Sequence, residues 1–277
     1  RRLALRLRGA GPYEAAYLAQ GSVRSAALAV LAGCRERVGF DTSRNARLLY
    51  THVVPYPADR HHAERLWSLA RPDRVPSAAE IQPRLYPGIE DEGAVDEVLA
   101  PVAELIGAGV PLVALAPGSV WATKRWPYYA ELGAVLAREA VLVVVGGRGD
   151  AELGAAIVRV CPAGRVVDAT GRLSVLASAA LIGQAALLVT NDSAPQHLAS
   201  AVGTRTLTIF GPTVPAFGFG PLAPGSATAG VDDLACRPCD RHGPRVCPLG
   251  HWRCMREQPA DRVLALLRGA GMLPHLG

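Results

Sequence analysis

Asp192 and Ser193 stand between an apolar run at 185–189 and a helical pattern through Leu198, Ala199 and Val202. The run reads as a buried strand, so a carboxylate and a hydroxyl fall where a strand hands over to a helix. In an open α/β sheet that edge binds ligands, and the free N–H groups of a helix N-terminus suit an anion such as a diphosphate. Asp and Ser are equally the types that cap helices, so both readings stand. A second loop, 117–127, follows strand-like residues 113–116. Gly118 there permits close backbone approach, Ser119 offers a hydroxyl, and Lys124 and Arg125 precede a helix that Pro127 can open. The two cations also fit a solvated charge pair. Taken with the aspartate loop, they look like a clamp for a phosphorylated ligand.

The motifs Pro117-Gly118-Ser119, Lys124-Arg125-Trp126-Pro127, Gly146-Gly147, Asn191-Asp192-Ser193, His197 and Phe210-Gly211-Pro212-Thr213 follow one another in this order. In that order the chain resembles the ADP-heptose:lipopolysaccharide heptosyltransferases (glycosyltransferase family 9), most closely heptosyltransferase II. Gly21-Ser22-Val23-Arg24-Ser25 and Gly39-Phe40-Asp41 are similar to the family's amino-terminal domain. The resemblance covers nearly the whole chain and is most specific over 112–215. One departure is Ala194, where the family usually has glycine, which points to a less left-handed turn.

The resemblance implies a GT-B fold, α/β, with two Rossmann-like doubly wound domains facing a cleft. It also implies transfer of L-glycero-D-manno-heptose from ADP-heptose to the inner-core oligosaccharide of Gram-negative lipopolysaccharide, without a metal or other cofactor in the chemistry. Ser119 and Lys124 would hold the diphosphate, Lys124 stabilising it as it leaves. Asp150 would take the ribose hydroxyls and Leu173 the edge of the adenine pocket. Asp192, Ser193, Ala194 and His197 would contact the heptose and phosphates. For each of these an ordinary structural role is the alternative: a loop cap for Asp150, core packing for Leu173, a satisfied helix histidine for His197. Two other functions stay open, a GT-B relative with another nucleotide-sugar reaction and a nucleotide-binding fragment without turnover.

Elements must position these loops. Residues 106–277 alternate strand and helix, with strands near 113–116, 141–145, 166–167, 187–190 and 206–210, and helices near 128–139, 151–160, 175–182 and 195–202. Such βαβα alternation implies a parallel sheet covered on both faces. Residues 1–105 hold fewer units: a strand at 15–18, a helix around 25–31 and a short strand at 38–40. The family's proposed catalytic base lies in a strand and Gly-Asp loop at its start, with no counterpart near Arg1. Residues 1–7 read like the tail of a helix under way. The expectation is an incomplete amino-terminal, acceptor-side domain, truncated by roughly 60 residues, with the base in that missing segment; the chain is read as a glycosyltransferase, and loss of activity through the truncation is the alternative.

The chain of 277 residues is half hydrophobic with few aromatics, as in aliphatic-packed α/β proteins. Its net charge of +5 is spread out. No basic patch interleaved with stacking aromatics occurs, which argues against nucleic acid. No run reaches membrane-span length and no signal pattern opens the chain, so the cytoplasm is the expected location, with peripheral contact at the inner face of the inner membrane open to a basic surface.

Cys236, Cys239, Cys247 and Cys254 form a Cys-rich segment at 236–255, with His242 and His251 interspersed. Reduced thiols are expected in a cytosolic enzyme, and four soft ligands could complete a structural zinc site. The stretch 247–255 resembles segments of heptosyltransferase II-like sequences, some relatives of which lack the cysteines. Cys34 and Cys161 read as small apolar residues.

Overall fold

In a computed structural model, residues 2–273 are described. Arg1 lies outside them. The chain forms two compact units, Arg1–Ile81 and Gln82–Gly277.

The first unit runs α1 (Arg2–Ala10), β1 (Ala15–Leu18), α2 (Val23–Leu31), β2 (Glu36–Phe40), α3 (Arg44–Arg47), β3 (His52–Val54), α4 (His62–Ala70) and α5 (Ala78–Ile81). Its strands form one parallel three-stranded sheet in the order β1-β2-β3. Ser22 and Ser43 cap α2 and α3 by accepting backbone N–H groups with their hydroxyls. The helix at 2–10 and strands at 15–18 and 38–40 fall where the sequence places them. β3 and α4 are additional.

The second unit runs α6 (Ile89–Leu99), α7 (Ala103–Gly107), β4 (Leu112–Ala116), α8 (Tyr129–Leu136), β5 (Val141–Val144), α9 (Ala151–Val160), β6 (Val166–Asp168) and α10 (Val175–Gln184). It continues with β7 (Leu187–Asn191), α11 (Ala194–Val202), β8 (Thr206–Ile209), β9 (Ala227–Ala229), α12 (Arg253–Arg256) and α13 (Ala260–Gly269). All six strands are parallel, in the order β6-β5-β4-β7-β8-β9.

Alternate residues of each strand feed two cores, one on each face of the sheet. Val113, Leu115, Leu142 and Val189 pack with Leu132 of α8, Ile157 of α9 and Val263 of α13. Ala114, Val143 and Leu188 pack with Val95 of α6, Leu181 of α10 and Ala199 of α11. Each fully buried Leu or Val contributes roughly 1.5–3 kcal/mol of burial, so strands wrapped on both faces read as unbroken apolar runs. Helix α6 lies before the 105/106 division expected from the sequence, yet it packs on α10 and belongs with the second unit.

The strand order fixes where a ligand can enter. From β4 the chain first adds β5 and β6 on one side, then returns to place β7 on the other. Successive connections leave β4 and β7 in opposite directions, which opens a crevice at their carboxyl ends. The loops after β4 and β7 are the two singled out from the sequence.

Candidate active site

Asn191, the last residue of β7, is fully buried and ties the two loops together. Its Nδ2 donates to the carbonyls of Pro117 (2.8 Å) and Gly118 (3.3 Å). Its Oδ1 accepts from the Trp126 backbone N–H (3.1 Å) and the Tyr129 hydroxyl (3.3 Å). Burial holds the Tyr129 phenol well above its ordinary pKa, so it stays a neutral donor. One side chain thereby fixes both ends of the loop that carries Ser119 and Lys124.

Lys124 is buried, and its Nζ lies 2.6 Å from Asp192 Oδ2, each side chain being 10% exposed. Thr213 donates to the same oxygen at 2.7 Å, and Gln196 Nε2 donates to Oδ1 at 3.1 Å. Asp192 thus has a charged partner and two neutral donors, which satisfies a buried carboxylate. Arg125 is half-buried and donates from Nε to the Ser119 carbonyl at 2.9 Å. The Lys124–Arg125 pair is therefore not a solvated one.

Neither Asp192 nor Ser193 caps α11 with its side chain. Ser193 occupies the N-cap but makes no capping bond, its hydroxyl reaching the carbonyls of Gly118 and Asn191 at 3.4 Å. At the start of α11 Pro195 has no N–H and the Gln196 N–H is held by the Ser193 carbonyl at 3.3 Å, so what this end offers an anion is chiefly the positive end of the helix dipole. Ala194 opens the helix in a right-handed conformation, since the non-glycine residues with positive φ are Asp233 and Trp252 among those described. The left-handed turn of α11 comes at its other end, at Gly203.

Two cavities meet here. A mainly apolar one of about 480 Å³ is lined by Gly118, Ser119, Arg125, Asp150, Leu173 and Leu198, among others. A second, of about 360 Å³, is lined by Lys124, Asp192, His197, Phe217, Arg241 and His242, among others. Ser119, Val120, Ser193 and Ala194 border both.

Asp150 accepts the Gly147 N–H at 2.9 Å, so it caps its own turn while also facing the larger cavity. It sits so close to Gly118 that a Cβ there would lie 2.4 Å from its carboxylate and would displace it. Leu173 likewise packs on the core and borders the cavity. All eight residues proposed for substrate contact line one or both cavities. Gln196 and Arg241 are not singled out in the sequence, while Asn191 and Thr213 stand in the motifs, and His242 beside the cysteines, without a role in this site. Thr213 follows β8, the next parallel strand, and position in such a sheet would have pointed to it. Arg241 and His242 lie in an irregular segment with no periodic signal.

The Cys-rich segment packs against this site. Cys239 donates its backbone N–H to Pro212 (2.8 Å), and Arg237 donates to the carbonyls of Gly211 (2.6 Å) and Thr213 (3.1 Å). The four cysteines are free thiols, with Cys236 Sγ 3.8 Å from His251 Nε2. Among the described residues no three His, Cys, Asp or Glu side chains are grouped so as to hold a metal ion. Burial, then the Cys239 and Cys247 thiols, pushes Cys254 up to about 11. For Cys247, burial raises the pKa, but the backbone N–H groups of Trp252, Leu249, His251 and Gly250 outweigh it and the net shift is downward. No helix among the described residues is long and apolar enough to cross a membrane.

The family model for glycosyltransferase family 9 (heptosyltransferase) matches residues 1–252. A curated relative, lipooligosaccharide heptosyltransferase 2 of Campylobacter jejuni, is 28% identical over 61% of this chain and 53% of its own length. The chain thus spans about half of that relative. Among solved structures, Escherichia coli ADP-heptose lps heptosyltransferase II superposes with a TM-score of 0.73 at 22% identity, covering 97% of this chain and 79% of that one. A family 9 glycosyl transferase from Veillonella parvula gives 0.81 at 19%, covering 96% and 76%. These likenesses establish the α/β GT-B fold with parallel sheets. The chain belongs to glycosyltransferase family 9.

Proposed function

We propose, from that membership, that the protein transfers L-glycero-D-manno-heptose from ADP-heptose to the inner-core oligosaccharide of lipopolysaccharide, in the manner of a heptosyltransferase II. The observation that carries this reading is the pair of adjoining cavities at the carboxyl ends of β4 and β7, one apolar, the other holding a buried Lys124–Asp192 pair. The apolar cavity suits an adenosine, with Leu173 against the base and Asp150 offering its remaining oxygen to the ribose. The diphosphate then crosses the shared rim at Ser119 and Ser193 toward the N-terminus of α11 and Lys124. The heptose occupies the second cavity beside Asp192, Ala194 and His197.

Negative charge builds on the diphosphate as the sugar–oxygen bond breaks, and the proton of the acceptor hydroxyl passes to a base that no residue of this chain is assigned to supply. Lys124 and the positive end of the α11 dipole stabilise that charge from fixed positions. The chain contains no Asp-x-Asp sequence for a divalent cation, and we read the chemistry as metal-independent. The reaction belongs at the cytoplasmic face of the inner membrane, where the acceptor is anchored.

ADP at one hundred times its dissociation constant should stabilise the protein by about 2.7 kcal/mol, or roughly 5–11 °C in melting temperature. Differential scanning fluorimetry reads this directly. A shift with UDP or GDP and none with ADP would overturn the donor assignment. Heptosyl transfer that stops at once in a chelator and returns with magnesium would overturn the metal-independent chemistry.

A further inference from the structure

We infer that Arg241, carried by the Cys-rich segment, binds the β-phosphate of the nucleotide donor. The inference rests on the ADP-sugar reading and adds to it a residue outside the family motifs. Charge balance points there first. Lys124 is already matched by Asp192 at 2.6 Å, so the pair is neutral overall. Arg125 is engaged at its Nε by the Ser119 carbonyl and lines the apolar cavity. A nucleoside diphosphate brings several negative charges, which this internal pair cannot balance. Arg241 lines the second cavity, beside Lys124 and Asp192, and none of the ion pairs among the described residues involves it. A guanidinium binds phosphate oxygens in bidentate fashion, which an ammonium cannot do.

Anchoring of the backbone supplies the second argument. Just before Arg241, the Cys239 N–H is bonded to Pro212. Just after it, the Pro244 carbonyl accepts the Thr123 hydroxyl. Gly243, at φ +78, packs so closely that a Cβ would lie 2.9 Å from Pro212 Cγ and 3.5 Å from Lys124 Cε. Residues 240–242 are therefore a short bridge pinned at both ends to the loops that form the cavity. An arginine on such a bridge is delivered to the cavity mouth with little freedom to leave, and less entropy is lost when it binds.

Isothermal titration with ADP, AMP and adenosine separates the outcomes. For the unaltered protein, ADP binding is required by the donor reading, and its absence would sink that reading and this one together. Arg241→Ala should weaken ADP by about 10–100-fold, the scale of a charge-assisted hydrogen bond, and leave AMP and adenosine within twofold. Arg241→Lys should recover part of the loss, and Arg245→Ala, exposed in the same segment, should change nothing. Unchanged ADP affinity in Arg241→Ala, with the unaltered protein binding normally, would overturn the inference alone. So would an equal loss for ADP and AMP, since that would mean the segment had merely been disturbed.

Discussion

Replacing Lys124 by Met removes a charge and keeps most of the side-chain length, which isolates the ion pair. Asp192 would then remain buried, at 10% exposure, with Thr213 and Gln196 as its donors and no counter-charge. Breaking a buried pair from one side costs about 3–5 kcal/mol, and the two surviving donors place this case at the low end. For a unit of this size about 3 kcal/mol corresponds to roughly 6–12 °C in melting temperature. Asp192→Asn should destabilise comparably from the other side. The double variant Lys124→Met/Asp192→Asn carries no buried charge, and it should be more stable than the sum of the single losses by up to about 3 kcal/mol. Activity should behave differently. Lys124 meets a charge that grows toward the transition state, so every variant lacking it should lose roughly 10²–10³ in turnover. The double variant would be folded but slow. Thermal melts and steady-state kinetics, in a preparation that turns over, measure both quantities. A Lys124→Met protein that melts with the unaltered one would refute the structural half. Unchanged turnover with a raised Michaelis constant for the donor would reduce Lys124 to a binding residue.

Asn191→Ala should cost about 2–4 kcal/mol by stranding the buried Trp126 N–H and Pro117 carbonyl, and it should raise the donor's dissociation constant because the two loops lose their shared tie; a melting temperature within a degree of the unaltered protein would contradict this. Among the thiols of the Cys-rich segment, Cys247, with its pKa lowered by backbone N–H donors, should alkylate well ahead of Cys254 at neutral pH, while Cys254, buried and near 11, should react appreciably only as the pH approaches that value. Mass spectrometry of iodoacetamide adducts over a pH series reads the order, and early labelling of Cys254 would show that the segment is open in solution.

Local pattern carried the strands and helices of the second unit because each announces itself over a few residues. The run 112–116 is apolar throughout, and Pro195 opens α11 while Gly203 closes it. The pattern at α6 was equally present, with acids Glu90, Asp91 and Glu92 in its first turn and Val95, Val98 and Leu99 at helical spacing. Its neighbour could not be read that way, since helical spacing says which face is buried and not against what. The same limit applies to the site. Asp192 and Lys124 were each identifiable from their own loops, as an acid after one strand and a cation after another. That they neutralise each other across 68 positions in sequence depends on β4 lying beside β7.

Strand order is thus the variable that turns a set of residues into a site. Once β4, β7 and β8 are known to be adjacent and parallel, their following loops must converge, and Asn191, Asp192 and Thr213 fall together without further information. Arg241 does not follow even then. It comes after β9 in a segment with no repeating pattern, and its place is set by contacts such as Cys239 to Pro212 and Thr123 to Pro244. Those contacts join backbone carbonyls to groups distant in sequence, and a backbone carbonyl is present at every position. The side-chain types on the segment therefore carry no trace of them. A reading based on residue type and spacing finds the groups fixed by strands, and it misses those fixed by the backbone of a loop.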